Sequence, residues 1–455
     1  MGSHVIDLVM LQNNFSTAEM RAVWNDEARI TKQLAVEAAL AQAEGELGLI
    51  PQDAAKKIAK VAKETTFDIA AIAEQVAVLK HSLMPTINAL QAAAGDEGEF
   101  VHYGATTQDI VDTGTVLQLK DAYNIVLRDT QVVFEKLAKL AKHYQNVPMV
   151  GRTHGMQALP ITFGYKLAIW VDEFGRHLER LHEIKERVFT GNINGAVGSY
   201  ASFGPKGSEV ERQTLAILDL NAPTIGWQSS RDRFSEYASV IGLISATLGK
   251  IGNEFYNLMR TEINEIEEPF SKGKIGSSTM PHKRNPAAFE GLASLTPPVL
   301  KSVALIHESM HVEHERDAMS WRQEWVALPE MNAYVSAQLA ILANVLDGLQ
   351  VKEVVMARNL EKQHGLLLSE KVMFEVGQKL GKQTAHHLVY ECAMTSFEEE
   401  RPFIDTLFEQ AAIADAYTRA EVEQWLDPTQ YTGLCADKVD EVLAVWQTKG
   451  FLKEG

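Results

Sequence analysis

The chain has 455 residues, a mass of 50.4 kDa and a composition that is 46% hydrophobic and 23% charged. This length and composition bury a large core, which excludes disorder and a small disulfide-stapled module. The formal charge of −17 repels phosphate backbones, so we expect no nucleic-acid partner. The two cysteines, Cys392 and Cys435, are too few for a disulfide framework and favour a reducing, cytoplasmic compartment.

The apolar runs of the sequence are all shorter than a membrane-spanning helix requires. The opening residues also lack a basic region followed by the apolar core of a signal peptide. We therefore expect neither a membrane partner nor export.

Apolar residues recur at helical spacing along most of the chain. The pattern runs from about Asp26 to Lys63 with a break at 48–51, which predicts helices from the start. It also predicts long helices over about 114–144, 161–190, 232–262, 297–313 and 328–350. Strand patterns are scarce outside short pieces such as 189–193, so the sequence predicts an all-α fold.

Glycine and proline cluster between the predicted helices, at 151–160, 191–207 and 273–286. Loops of this kind often carry functional residues. Beyond residue 350 the helices are shorter and broken by glycine and proline, which predicts a smaller terminal domain. In that part, Thr418 and Glu421 form a capping-box pattern that predicts the start of a helix.

Four segments carry the chemistry-bearing residues. GSSTMPHKRNP at 276–286 places two hydroxyls, an imidazole, two cations and a carboxamide in a glycine-flanked loop that enters a helix. The others are VHYGATTQDIVDT at 101–113, GRTHGMQALP at 151–160 and HERDAMSWRQEW at 314–325. In this order they resemble the signature regions of the fumarase/aspartase superfamily. Its members eliminate across a succinyl group to release fumarate, or run a related cyclisation.

The resemblance implies an all-α protein of three domains. These are an N-terminal helical domain at 1–111, a central long-helix bundle with the signature loop at 112–351, and a small helical domain at 352–455. Four subunits would form a homotetramer with a twenty-helix core, and each active site would combine segments of three subunits. Such an assembly would cover the apolar stripes of the long helices.

Elimination next to a carboxylate creates a dianionic aci-carboxylate, so the site needs a strong base and donors where the charge develops. The resemblance implies that Ser277 is the base, with Ser278 as the alternative if the register differs by one. It assigns Lys283 and Asn285 to the substrate carboxylate and places Met280 in the binding site.

The resemblance also pairs His154 with Glu290, as an acid that protonates the departing atom. A carboxylate beside the ring makes physical sense, because it orients the imidazole and favours its protonated form.

Further residues of the VHYGATTQDIVDT segment are expected to bind substrate near the N-terminus of a helix. Thr106, Thr107 and Asp109 would bind a substrate carboxylate there, although Asp109 or Asp112 could equally be a simple N-cap. The same anion site would be supported by Arg152 and Thr153. Arg231 and Arg233 could hold a second carboxylate or lie in a subunit interface.

Two subgroups of the superfamily compete. VHYG, His154 and the MPHKRNP loop favour adenylosuccinate lyase, whereas NNFSTAEMRAVWND, HERDAMSWRQEWVALPE and LDPTQYTG favour 3-carboxy-cis,cis-muconate cycloisomerase. Phe67 stands where adenylosuccinate lyases carry a histidine, and His81 is a candidate replacement. We expect a lyase that releases fumarate from an N-succinylated amine without a metal or organic cofactor. The alternative is the lactonising cycloisomerase, and the sequence does not identify the leaving amine.

The sequence also carries two minor alternatives. His307, Glu308 and His311 spell HExxH on a predicted helix, and Glu330 could be the third ligand of a zinc protease. The same frame could also serve a non-enzymatic, structural protein, since fold does not dictate function.

Overall fold

A computed structural model describes residues 3–269, 279–280 and 282–453. Most of this part is α-helical, which confirms the predicted all-α class. The helices are α1 Gln12–Phe15, α2 Ala18–Val23, α3 Asp26–Leu47, α4 Gln52–Glu64, α5 Ile69–Leu79, α6 Met84–Ala94, α7 Thr107–His143, α8 Phe163–Val188, α9 Gly207–Ile217, α10 Asp232–Met259, α11 Ala287–Ser294, α12 Thr296–Glu308, α13 Met319–Gly348, α14 Glu353–Leu360, α15 Ser369–Leu380, α16 Lys382–Glu398, α17 Phe403–Phe408, α18 Ala411–Ala414, α19 Arg419–Trp425 and α20 Cys435–Thr448. The strands are β1 Pro148–Thr153, β2 Met156–Thr162, β3 Ile266–Glu267 and β4 Gln350–Val351.

The long predicted helices are present, but several boundaries differ. Helix α7 begins at Thr107 rather than near 114, α12 ends at Glu308 rather than near 313, and the start of α13 differs most. The prediction began a helix at Leu328, where Pro329 fits a first turn, whereas α13 begins at Met319 and carries Pro329 inside. The Asp317 carboxylate accepts the backbone N–H groups of Met319 and Ser320, at 2.6 and 3.1 Å. This acceptor satisfies the free donors of the first turn, so the helix starts well before the proline.

The segment predicted as a loop at 151–160 belongs to a β-hairpin. Strands β1 and β2 pair antiparallel, with Pro148 opposite Thr162 and Thr153 opposite Met156. The tip is His154 and Gly155, which both have positive φ, 53° and 82°. Two such residues make the tight turn whose twist matches paired strands. By contrast, the piece at 189–193 forms only an isolated bridge at Thr190.

The chain divides into two compact units. Unit 1 comprises 1–130, 177–249 and 291–341, and unit 2 comprises 131–176, 250–290 and 342–455. The divisions fall within α7, α8, α10, α11 and α13. The three-domain boundaries stay a prediction. Over the described part of the chain, every helix is too short or too polar to cross a bilayer.

The interior of unit 1 contains a buried ion cluster. The Arg231 guanidinium binds Asp112 at 2.6 and 3.0 Å and Glu324 at 2.6 and 2.8 Å. All three side chains are at most 2% exposed. Arg231 is therefore a core residue. This corrects the expectation that it holds a substrate carboxylate and the alternative that it lies in a subunit interface. Asp112 is likewise no N-cap, because it lies inside α7 and also accepts the indole N–H of Trp321.

The interior of unit 2 has an apolar cluster among its C-terminal helices, built around side chains such as Val376, Phe403 and Val422. The capping box of Thr418 and Glu421 at the start of α19 is confirmed. Elsewhere in this unit, Gly175 is required because a Cβ there would lie 2.2 Å from the ring of Trp446.

Candidate functional site

The start of α7 in unit 1 presents two half-buried hydroxyls, those of Thr106 and Thr107. The Arg316 guanidinium donates to Oγ1 of Thr106 at 2.8 Å, and Nε2 of His81 lies 3.5 Å from Oγ1 of Thr107. A cation, an imidazole and two hydroxyls at a helix N-terminus form a suitable site for a carboxylate. Sequence reasoning missed Arg316 individually, although it lies in the HERDAMSWRQEW segment.

The contacts of His81 define its tautomer. Its Nδ1 accepts the backbone N–H groups of Leu83 and Met84, at 3.2 and 3.0 Å, just before α6 begins. A nitrogen that accepts two hydrogen bonds carries no proton, so the neutral ring has its proton on Nε2. Nε2 therefore donates on the side of Thr107, where a substrate oxygen could accept.

The Asp109 carboxylate is fully buried beneath these hydroxyls. It accepts the backbone N–H groups of Thr106, Asn194 and Gly195, at 2.9, 3.1 and 2.9 Å, and the Gln228 amide at 3.3 Å. Burial raises the pKa of Asp109 to about 7, although the backbone donors favour its charged form. Asp109 thus ties the start of α7 to the 194–195 loop, while its predicted contact with substrate stays a prediction.

In unit 2, the hairpin tip exposes Thr153 and His154. Below them, Arg152 binds the buried Glu265 carboxylate through two hydrogen bonds of 2.7 and 3.0 Å. The Asn359 amide donates to the same carboxylate at 2.8 Å. Arg152 therefore anchors the hairpin that carries His154, and its support of an anion site stays a prediction. Sequence reasoning missed Glu265 and Asn359, because both are distant along the chain.

A cavity of about 1190 Å³ in unit 2 brings the end of the signature segment together with several cations. The cavity is lined by four exposed residues that the sequence predicted for the site, Met280, Lys283, Asn285 and Glu290. The cationic side chains that line it are Arg260, Lys283, Arg284 and Lys352. The carboxylates of Glu262, Glu267 and Glu290 line the same cavity, and Glu267 already binds Arg284 and Lys352. Lys283 and Arg260 are the lining cations outside this cluster, and such groups suit a ligand carboxylate. The predicted base Ser277 and its alternative Ser278 lie outside the described residues.

Two features of His154 and Glu290 bear on their predicted pairing. Both side chains are exposed, and among the described residues of the chain no ion pair joins them. The predicted pairing of His154 with Glu290 stays a prediction.

The zinc-protease interpretation fails on the helix that it requires. Helix α12 ends at Glu308, so His311 lies beyond it and does not share a helical face with His307. Both ring nitrogens of His307 contact serines, Nδ1 with Ser235 at 2.6 Å and Nε2 with Ser239 at 3.3 Å. His307 is therefore occupied by hydrogen bonds in unit 1.

Comparison with known proteins defines the class. A family model described as Lyase matches residues 13–299, and a second, described as Adenylosuccinate lyase C-terminus, matches residues 365–442. The chain belongs to the fumarase/aspartase superfamily and is a lyase. This confirms the resemblance of the four signature segments.

Individual relatives cover the whole chain. It is 98% identical over 455 residues, all of both chains, to the N-acetyl-S-(2-succino)cysteine lyase of Enterococcus italicus. It is 63% identical over 454 residues, again all of both chains, to the protein of the same name from Dickeya dadantii. Among solved structures, the 3-carboxy-cis,cis-muconate lactonizing enzyme of Pseudomonas putida has a TM-score of 0.90 at 34% identity, covering 96% of this chain and 98% of that one.

Proposed function

We propose that this enzyme cleaves N-acetyl-S-(2-succino)cysteine into fumarate and N-acetylcysteine. The observation that carries the proposal is the 98% identity, over the full length of both chains, to the relative of that name. In this substrate the succinyl group is attached to sulfur. The leaving atom therefore differs from the amine nitrogen that the sequence favoured, while the fumarate-releasing elimination is the same.

The reaction balances without a further reactant. A base takes one proton from the succinyl carbon next to the distal carboxylate, and the electron pair delocalises into that carboxylate as an aci-acid. Collapse of this intermediate forms the double bond of fumarate and breaks the carbon–sulfur bond. The sulfur leaves with the electron pair and takes up a proton to become a thiol. A thiol with a pKa of about 8.5 is a good leaving group, so this step needs less acid assistance than release of an amine.

The substrate has three carboxylates, two on the succinyl group and one on the cysteine. In the proposed mechanism Ser277, or Ser278, is the base, and Lys283 and Asn285 hold the carboxylate that becomes the aci-acid. A serine base needs these donors close by, since its own proton must be lost first.

The departing sulfur needs a proton donor, and the second carboxylate needs hydrogen-bond donors. We assign His154, paired with Glu290, to protonation of the departing sulfur. We assign a second carboxylate to the Thr106 and Thr107 hydroxyls at the start of α7, where Asp109 holds the helix terminus. The donors on Arg316 and His81 beside these hydroxyls support this assignment. The proposal keeps Arg152 and Thr153 as further supports of an anion site.

We further propose that the enzyme is a cytoplasmic homotetramer whose sites combine segments of three subunits. Support comes from exposed apolar side chains on the long helices of unit 1. Leu243 on α10 is 47% exposed, and Val326 on α13 is 50% exposed. Apolar surface of this kind on a regular helix face suits contact with another subunit.

The test is an assay of purified enzyme with N-acetyl-S-(2-succino)cysteine and, separately, adenylosuccinate. Proton NMR measures fumarate, and a thiol reagent measures N-acetylcysteine. We expect equal amounts of both products from the thioether, and loss of turnover in Ser277→Ala. Ser278→Ala decides between the two serines. Turnover of adenylosuccinate alone would contradict the proposed substrate.

The cycloisomerase stays the second candidate because of the structural match to the lactonizing enzyme. Incubation with 3-carboxy-cis,cis-muconate separates the two functions. A lactone formed without fumarate would favour the cycloisomerase, and unchanged 3-carboxy-cis,cis-muconate would exclude it.

A further inference from the structure

Three charged side chains of unit 2 connect the signature segment to the small β3–β4 sheet. The Arg284 guanidinium binds the Glu267 carboxylate, and the Lys352 ammonium binds the same carboxylate at 3.0 Å. Lys352 also donates to the Asn264 side chain at 2.6 Å. Although burial alone would raise it, hydrogen bonds from Arg284 and Lys352 hold the pKa of Glu267 below its ordinary value. Glu267 therefore carries its charge throughout the neutral range.

The residue that follows β3, Glu268, holds the other end of the same segment. The Glu268 carboxylate, which is 3% exposed, accepts the backbone N–H of Ala288 at 2.8 Å, in the first turn of α11. Two successive carboxylates thus hold the chain at positions 284 and 288. Lys283 and Asn285 are the immediate neighbours of Arg284, so a fixed Arg284 restricts the backbone that carries both.

We propose that Glu267 is a positioning residue for Lys283 and Asn285, acting through Arg284. The inference rests on the proposed function, in which Lys283 and Asn285 hold the carboxylate that becomes the aci-acid. A positioned donor acts only where the charge develops, and a displacement of about 1 Å can cost roughly 100-fold in rate. Glu267 makes no substrate contact in this scheme.

The solvent exposure of the Arg284–Glu267 ion pair bears on whether a loss of activity could come from a loss of folding stability. The Arg284 side chain is 50% exposed and that of Glu267 is 15% exposed. The exposed Arg284 end limits what this ion pair contributes to folding. Glutamine keeps the size of Glu267, and the unfolding temperature of Glu267→Gln is measured beside its activity. A loss of activity at an unchanged unfolding temperature then reports on the segment rather than on the fold.

The experiment compares Glu267→Gln, Arg284→Gln and the double variant in the full-length enzyme. We expect each single change to lower kcat/KM for the thioether about tenfold, and the double variant to be no worse than either single one. Arg284→Lys, which keeps the charge, restores part of the loss. The matched control is Arg401→Gln, because Arg401 also bridges two carboxylates, those of Glu399 and Glu409, and lies outside the site. It leaves kcat/KM unchanged.

A second measurement needs no substrate. Hydrogen exchange of peptides covering 283–290 becomes about tenfold faster in Glu267→Gln and stays unchanged in Arg401→Gln. If wild-type enzyme does not cleave the thioether, the proposed substrate fails, while the exchange rates still decide whether Glu267 orders the segment. Unchanged exchange in Glu267→Gln, or additive losses in the double variant, would overturn the proposal.

Discussion

Replacing Glu44 with glutamine removes a buried ionisable group and keeps its size. Glu44 lies on α3 in unit 1 and is fully buried, and neither of its carboxylate oxygens has a hydrogen-bond partner in the described structure. Burial, and to a smaller extent the negative charge of Glu37, raises the pKa of Glu44 to about 9. At neutral pH the folded protein therefore keeps this side chain protonated.

The sign and size of the effect follow from linkage. An unfolded glutamate has a pKa near 4.5, so between that pH and about 9 the folded state binds the extra proton. The free energy of unfolding then falls as pH rises through this window, by about 1.4 kcal/mol per pH unit. At pH 7 the wild type has lost about 3 kcal/mol in this way. Glu44→Gln does not lose it.

The assay is urea unfolding of wild type and variant at one protein concentration, at pH 5, 6.5 and 8. The stability difference between them should grow by about 4 kcal/mol from pH 5 to pH 8, in favour of the variant. This slope does not depend on any constant offset from the glutamine amide. Glu46→Gln is the control, since Glu46 is exposed on the same helix. A Glu44→Gln difference that is the same at all three pH values would refute the reasoning.

Three further predictions concern the core, a helix cap and the proposed acid. Arg231→Met leaves Asp112 and Glu324 buried without their cation. We expect the free energy of unfolding, measured in urea, to fall by about 3–5 kcal/mol. A fall of less than about 1 kcal/mol would contradict the importance of the ion cluster. Thr418→Ala removes the acceptor at the start of α19 and should cost about 1 kcal/mol, measured in the same way, whereas Thr418→Ser should cost little. His154→Gln should lower kcat for the thioether by about tenfold or less, because a thiolate leaves with little acid assistance, but about 100-fold or more for the matching N-succinylated amine. Equal losses of kcat on the two substrates would contradict the proposal that His154 protonates the departing atom.

The helical architecture could be predicted because apolar spacing persists over long stretches, and local interruptions do not erase it. The hairpin could not, because its tip is His154 and Gly155 rather than asparagine and glycine, and its strands contain Gly151 and Pro160. The start of α13 was missed for a related reason. A proline that usually opens a helix lies within this one, and the cap that starts it is Asp317.

Two candidate site residues make contacts that the sequence did not predict. Arg152 and Asp109 were both selected for binding substrate, since a cation and a helix-terminal carboxylate fit an anion site. In the fold, Arg152 binds Glu265, 113 residues away, and Asp109 binds loop amides 85 and 86 residues away. Contacts between such distant positions depend on the tertiary fold, and no local pattern in the sequence announces them.

Net charge and local charge also lead to different conclusions about ligands. The formal charge of −17 argues against binding of long polyanions, because the summed negative charge of the whole protein repels them. A small tricarboxylate is different, because at physiological salt charges more than about 8 Å away are largely screened. Its binding depends on the cations that surround it. Lys283, Arg284 and Lys352 line one cavity of unit 2, where Glu267 holds the latter two in place. An acidic chain can therefore serve a trianionic substrate, provided that its cations are concentrated and fixed where the carboxylates bind.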